Sequence, residues 1–213
     1  CHVKCLRAWV DLFHFTFRVS GKFHNADRRY FTSEGYFTEL GGFVVRTLFT
    51  LDAKNYDPAA PLHIRPSVRG IIIRDGKILM VHSRRFDYYK FPGGGLEPGE
   101  SHEAALCREV REESGFTVVP GSVREYGLVP RRERDDDGTT FVQDNFYYLC
   151  EIDRAVGQDL DEYEAEEGFA PEFVDPRHAI ETNLHHDHSG KESAMFPREA
   201  GVLKWLLDEG YFD

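Results

Sequence analysis

The stretch GGGLEPGESHEAALCREVREESGF, residues 93–116, constrains this chain more than any other. After its glycines a helix is expected from Glu100 to Ser114, closed by Gly115. On that helix Glu109, Glu112 and Glu113 stand at i, i+3 and i+4, which puts three carboxylates on one face. Like charges that close repel one another and are costly without a partner. An ordinary acidic helix face finds its partner in solvent and nearby Lys or Arg. A hard divalent cation is the other partner, since Mg2+ and Mn2+ take carboxylate oxygens and keep positions for substrate phosphates. Glu100 falls at the expected helix start, where the dipole favours a carboxylate. The preceding glycines let backbone come close to a metal or a phosphate. Arg108, in the same helix, offers a planar fork to a carboxylate.

Composition narrows the surroundings of this segment. The chain has 213 residues, 41% apolar and 30% charged, as a globular domain does and a disordered or membrane chain does not. A net charge of −11 argues against bulk binding to a nucleic-acid backbone. It leaves room for a small phosphate ligand, because a bound metal reverses the local sign. Cys1, Cys5, Cys107 and Cys150 form no C-x-x-C pair and no disulfide framework, so a reducing, cytoplasmic setting is expected. No apolar run of about 18 residues exists, so no membrane span is expected.

Residues 1–43 read differently from the rest. They hold ten of the 29 aromatic residues. Net charge through residue 61 is +2, which leaves −13 for the remainder. Phe13, Phe15, Phe17 and Val19 alternate with polar residues, as in a short strand. The first residue is Cys1 rather than Met. The expectation is an N-terminal extension over 1–43, upstream of a functional domain over 44–213. The rival is an arm that packs on the domain or on a second subunit, in a homodimer. Residues 51–66 carry three prolines and read as an extended linker. VRGIIIR and KILMVHS around Asp75-Gly76 predict a hairpin. Further strands are expected at 116–119, 122–129, 141–152 and 172–174. The acidic stretch 153–168 reads as a loop. A short helix is expected at 176–183 and an amphipathic one at 193–209, with Val202, Leu203, Leu206 and Leu207 on one side. Interleaved strands and helices predict an α/β fold with a mixed sheet and helices on both faces.

The pattern G-x5-E-x7-R-E-U-x-E-E-x-G-U, with U bulky and apolar, is that of the Nudix box. Gly94, Glu100, Arg108, Glu109, Val110, Glu112, Glu113, Gly115 and Phe116 fill every fixed position. On those residues the chain resembles the Nudix hydrolase family, MutT-like enzymes among them. The resemblance implies an α/β/α sandwich. It implies metal-dependent hydrolysis of the pyrophosphate in a nucleoside diphosphate linked to another group, with water attacking phosphorus. It assigns Mg2+ or Mn2+ to Glu109, Glu112 and Glu113, completed by Glu100 and the carbonyl of Gly93 or Gly94. Arg108 would orient a glutamate rather than touch substrate. The general base would be a box glutamate or one of Glu164, Glu166 and Glu167, with Glu167 put forward beside Glu112 and Glu113.

Substrate recognition is expected just before the glycines, at Arg84, Arg85, Tyr88, Tyr89 and Lys90, where basic and aromatic groups suit phosphate and base. Pro130 and Glu133 meet neither the ADP-ribose nor the diadenosine-polyphosphate signature of relatives cleanly, so the nucleotide-type substrate stays open. A Nudix-fold module that binds a nucleotide without hydrolysing it is the alternative. Such modules usually lose box glutamates or the arginine, and all are present here. The group His185, His186, Asp187 and His188 invites a metal reading, but its spacing matches no common site. A polar loop before the last helix is the expectation.

Overall fold

The computed structural model describes residues 28–32, 35–40, 43–191 and 193–212, with side chains from residue 45 onward. The alternation at Phe13–Val19 and the group of Cys1, His2 and Cys5 lie outside the described residues. Arg28–Thr32 (β1), Gly35–Leu40 (β2) and Phe43–Thr47 (β3) form an antiparallel meander. The expected boundary at residue 43 thus falls on the first residue of β3, and two strands N-terminal to it belong to the main sheet. The proline-rich linker holds two short strands, Leu51–Asp52 (β4) and Leu62–Ile64 (β5).

Next come Ser67–Ile71 (β6), Ile73–Arg74 (β7), Lys77–Ser83 (β8), Tyr88–Lys90 (β9) and the helix His102–Ser114 (α1). Phe116–Val118 (β10), Arg124–Arg134 (β11), Thr140–Leu149 (β12) and Ile152–Ala155 (β13) follow. The chain closes with Glu162–Glu167 (α2), Phe169–Val174 (β14), Pro176–His185 (α3) and Met195–Asp208 (α4). The stretch read as an acidic loop therefore contains β13 and α2. Strand β13 pairs antiparallel with β10, and a capping box at Asp161 and Glu164 starts α2.

Strands β11 and β12 are the antiparallel spine of the large sheet. Strands β3 and β4 run parallel to β11, and β5 and β6 run parallel to β12, so the sheet is mixed. A second, antiparallel sheet pairs β8 with β14, β7 and β9. Asp75 and Gly76, at φ of 51° and 69°, make the tight turn of the expected hairpin. That hairpin is short. The run VRGIIIR splits at Ile72, with β6 bonded to β12 in one sheet and β7 to β8 in the other. Val68 to Ile72 are buried whichever way they point, so alternation does not tie the run to one ladder.

Alternation along the strands divides the apolar residues into two cores. Val68, Ile72, Leu79, Leu128 and Phe146 pack against Ala105, Leu106 and Val110 of α1. Their neighbours Ile71, Ile78, Met80, Val129 and Tyr147 pack against Ala179 of α3 and Val202, Leu203 and Leu206 of α4. Helices on both faces of the strand layer make an α/β/α sandwich. Among the described residues no helix is long and apolar enough to cross a membrane.

Candidate functional site

Helix α1 begins two residues later than expected. The Ser101 hydroxyl accepts the Ala104 N–H at 3.2 Å and caps it, so Glu100 lies before the helix. Gly115, in the left-handed conformation, ends it. The last turn is tied to the acidic segment. Asp159 N–H donates to the Glu112 carbonyl at 2.9 Å, and the Gln158 amide to the Glu113 carbonyl at 2.6 Å. Those bonds satisfy helix-end carbonyls and bring α2 beside α1.

The glycine loop is bonded like a strand. Val68 N–H donates to the Gly94 carbonyl at 3.0 Å and Gly70 N–H to the Pro92 carbonyl at 2.8 Å. Gly93 has φ of 144°, and a Cβ there would stand 2.1 Å from the Val68 carbonyl oxygen. Gly93→Ala is expected to cost about 3 kcal/mol, from a glycine-only conformation and a backbone clash. Chemical denaturation of the two proteins checks it. A Cβ on Gly94 would lie 2.5 Å from both Glu109 carboxylate oxygens, so that glycine makes room for the carboxylate.

Loop, helix and α2 enclose a cavity of about 380 Å³. Glu109, Glu112, Glu113 and Glu164 line it together with Arg65, Arg69, Lys90, Arg108 and Lys191. Arg108 binds Glu100 through two nitrogens at 3.0 and 2.9 Å. It also donates to Glu109 at 2.8 Å, Glu112 at 3.2 Å and the Gly95 carbonyl at 3.1 Å. The Arg108 guanidinium, with a backbone bond from Glu97, holds Glu100 below its ordinary pKa. Burial pushes Glu112 up despite Arg108. Glu113 is 2% exposed, and its carboxylate accepts from Lys90 Nζ at 2.6 Å and Gly93 N–H at 3.0 Å. Burial raises Glu113 to about 7, against the lowering charges of Lys90 and Arg69.

Of the residues proposed for substrate, the structure brings Lys90 and Tyr88 into the cavity. Alternation on β9 sends Tyr89 the other way, into the core, where it stacks on His82 at 4.4 Å and its hydroxyl donates to Glu172 at 3.2 Å. Arg84 and Arg85 are exposed and do not line the cavity. Of the three acidic-segment candidates, Glu166 is exposed outside the cavity. Glu164 is buried, accepting from Tyr163 OH at 2.9 Å and Asp161 N–H at 3.1 Å. Glu167 accepts from Lys191 at 2.5 Å, Tyr88 OH at 2.6 Å and Ser83 OH at 3.2 Å. Burial would raise Glu167, but those donors outweigh it and hold the carboxyl below its usual range.

The histidine group does not converge. His185 lies 3.8 Å from Glu181. His186 bonds Asp87 at 2.7 Å, and His188 bonds the carbonyls of Phe86 and Asp87 at 3.0 Å. These contacts fasten the α3–α4 loop to the β8–β9 turn. Residues that sequence reasoning missed are Arg65, Arg69, Gln143, Tyr163, Lys191 and Met195, all lining the cavity. Behind Gln143 lies Arg198, 2% exposed, which donates to Gln143 at 3.3 Å, Asn145 at 2.7 Å and Glu199 at 2.6 Å.

The donor set facing the cavity from α1 and the glycine loop consists of carboxylate and carbonyl oxygens, which suits Mg2+ or Mn2+. Among the described residues no three acidic, His or Cys side chains converge as ligands. Arg108 and Lys90 instead engage the box carboxylates.

An α/β/α sandwich that hangs a glycine loop and a glutamate-rich helix over one cavity is the architecture of a Nudix-type domain. The NUDIX domain model matches residues 63–195, and the chain belongs to that family. It is similar to an ADP-ribose pyrophosphatase from Methanocaldococcus jannaschii, 35% identical over 80 residues, covering 36% of this chain and 46% of that protein. It is also similar to a CTP pyrophosphohydrolase from Escherichia coli, 43% identical over 70 residues, covering 31% of this chain and 50% of that one. The chain spans about half the length of these curated relatives. A solved NUDIX hydrolase from Nitrosomonas europaea covers 68% of this chain and 90% of its own at 22% identity, with a TM-score of 0.46.

Proposed function

We propose that this chain is a metal-dependent hydrolase of a phosphoanhydride bond in a small nucleotide-type substrate. One observation carries the reading. Glu109, Glu112 and Glu113 form an acidic wall of a cavity whose other lining includes Arg65, Arg69, Lys90 and Lys191. An acidic wall suits a cation, and basic side chains suit the phosphates of a substrate. Family membership and the pyrophosphohydrolase names of the relatives support the same chemistry.

Glu109, Glu112 and Glu113 would hold Mg2+ or Mn2+, with Glu100 and the carbonyl of Gly93 or Gly94. The ion, when bound, supplies charge neutralisation and a more acidic water. Arg108 keeps Glu100, Glu109 and Glu112 oriented. Glu112 is the proton acceptor in this reading, because its side chain is the most open of the three box glutamates and its bond to Arg108, at 3.2 Å, is the longer of that arginine's two bonds to them. Glu167, anchored by Lys191, Tyr88 and Ser83, is a structural clamp in the cavity lining. Lys90, Lys191 and Arg69 neutralise substrate phosphates. Free Cys107 and Cys150 agree with a reducing, cytoplasmic setting.

The test is phosphate and nucleotide release from a substrate panel with Mg2+ or Mn2+. The panel holds nucleoside triphosphates and their oxidised forms, ADP-ribose, nucleotide sugars and dinucleoside polyphosphates. One substrate cleaved well by wild type and not by Glu112→Gln is the expected result. No cleavage of any of them, with nucleotide still bound, would turn the reading to a binding module. On the cleaved substrate, Arg84→Ala and Arg85→Ala are expected to leave kcat/KM within about twofold, as surface changes outside the cavity do.

A further inference from the structure

Two cationic side chains sit on the oxygens that the metal-dependent reading assigns to a cation. Lys90 Nζ lies 2.6 Å from Glu113 Oε1, 3.9 Å from Glu164 Oε1 and 4.6 Å from the centre of the Phe169 ring. Arg69, 8% exposed, donates to the Gly93 carbonyl, and its Nε is buried without a partner. Burying an ammonium and a guanidinium in this way is costly, and an apolar side chain would fill either strand position. Both groups line the cavity, so each faces the space in front of the glycine loop as well as the loop itself. The buried Arg69 Nε has no hydrogen-bond partner in this arrangement, so the guanidinium loses little by shifting from it.

We infer that Lys90 and Arg69 are internal counter-cations with two stations. In the metal-free protein they sit on Glu113 and the Gly93 carbonyl. In the loaded protein they give up those oxygens and turn to the phosphoryl oxygens of the substrate. The inference rests on the metal-dependent reading of this site. Its signature is a pair of opposite effects. Removing the Lys90 charge removes a competitor for Glu113 and removes a partner of the substrate, so metal binds more tightly and phosphate more weakly. A merely structural lysine would move both in one direction. The displaced charge also couples the ligands, since each ligand makes room for the other.

The experiment is calorimetric titration of Mg2+ into metal-stripped protein, then of methylenediphosphonate at saturating Mg2+. All proteins are titrated at the same pH of 8.5, where an ionised carboxyl is favoured. Lys90→Met is expected to bind Mg2+ at least about fivefold tighter than wild type and the diphosphonate about tenfold weaker. Lys90→Arg, which keeps the charge, is expected to bind Mg2+ like wild type. Without its counter-ion Glu113 destabilises Lys90→Met in EDTA, so Mg2+ raises its melting temperature more than it raises that of wild type. If Lys90→Met does not fold in either buffer, Arg69→Met is expected to show the same two signs. Unchanged or weaker Mg2+ binding in the variant that folds, with wild type still binding Mg2+, overturns the two-station assignment alone. No Mg2+ binding by wild type, with or without diphosphonate, overturns it together with the metal-dependent reading.

Discussion

Glu112→Gln and Glu113→Gln are each expected to lower kcat by at least about a hundredfold, the loss that follows removal of a metal or charge-stabilising group. The two variants differ in what else they disturb. Glu112 is partly exposed and makes one bond to Arg108, so Glu112→Gln should fold like wild type. Glu113 is buried against Lys90, so Glu113→Gln also leaves an ammonium without its carboxylate. Its loss of activity is therefore expected with a lower melting temperature. Steady-state rates on the cleaved substrate, alongside thermal melts, check both halves. Near-normal rates in both variants would remove the assignment of the box glutamates.

Arg198→Met is the largest expected change in stability. The variant strands Glu199, which is 0% exposed and, among the described residues, is left with the Tyr147 hydroxyl at 3.4 Å. Breaking one side of a buried pair costs about 3–5 kcal/mol. For a chain this long that lowers the melting temperature on the order of 10 °C. Arg198→Met combined with Glu199→Leu is expected to recover most of the loss, since removing both charges removes the stranded one. A double-mutant cycle by denaturant unfolding measures the difference. The single variant also frees the Gln143 amide. Arginine only donates, so Arg198 holds the Gln143 oxygen toward itself and turns the NH2 group the other way. A rise in KM beyond the loss of folded protein would report that second role.

How far the sequence could be read depended on how local each feature is. The box helix follows from spacing within one segment, and its glutamates and Arg108 need no distant partner to be recognised. Apart from Tyr88 and Lys90, the cavity's other lining comes from positions 65, 69 and 143 and from scattered residues after 158 and 190, which no local pattern links. A signal for some of them was present. Arg69 interrupts an apolar strand run. Arg198 and Glu199 occupy the stripe that continues through Val202, Leu203 and Leu206, four and eight residues on. A charge at a core position of a helix stripe asks for a buried partner. Tyr88 and Tyr89 shared one expectation because a strand as short as β9 has no alternation strong enough to tell its two faces apart. The break at Ile72 was illegible for a related reason. A run buried on both faces carries no periodicity to say which sheet each half joins.

The division of the cavity between elements has a consequence for how such a domain diversifies. The acidic wall comes from one helix and one loop, capped at Ser101 and Gly115 and packed by Ala105, Leu106 and Val110. The remaining lining comes from strands and from the α2 and α3–α4 segments, which share no residue with that helix. Substitutions at Tyr163 or Met195 therefore reshape the lining without altering the box helix or its carboxylates. The lining and the acidic wall are thus separable: one can change in shape while the other keeps its helix and caps.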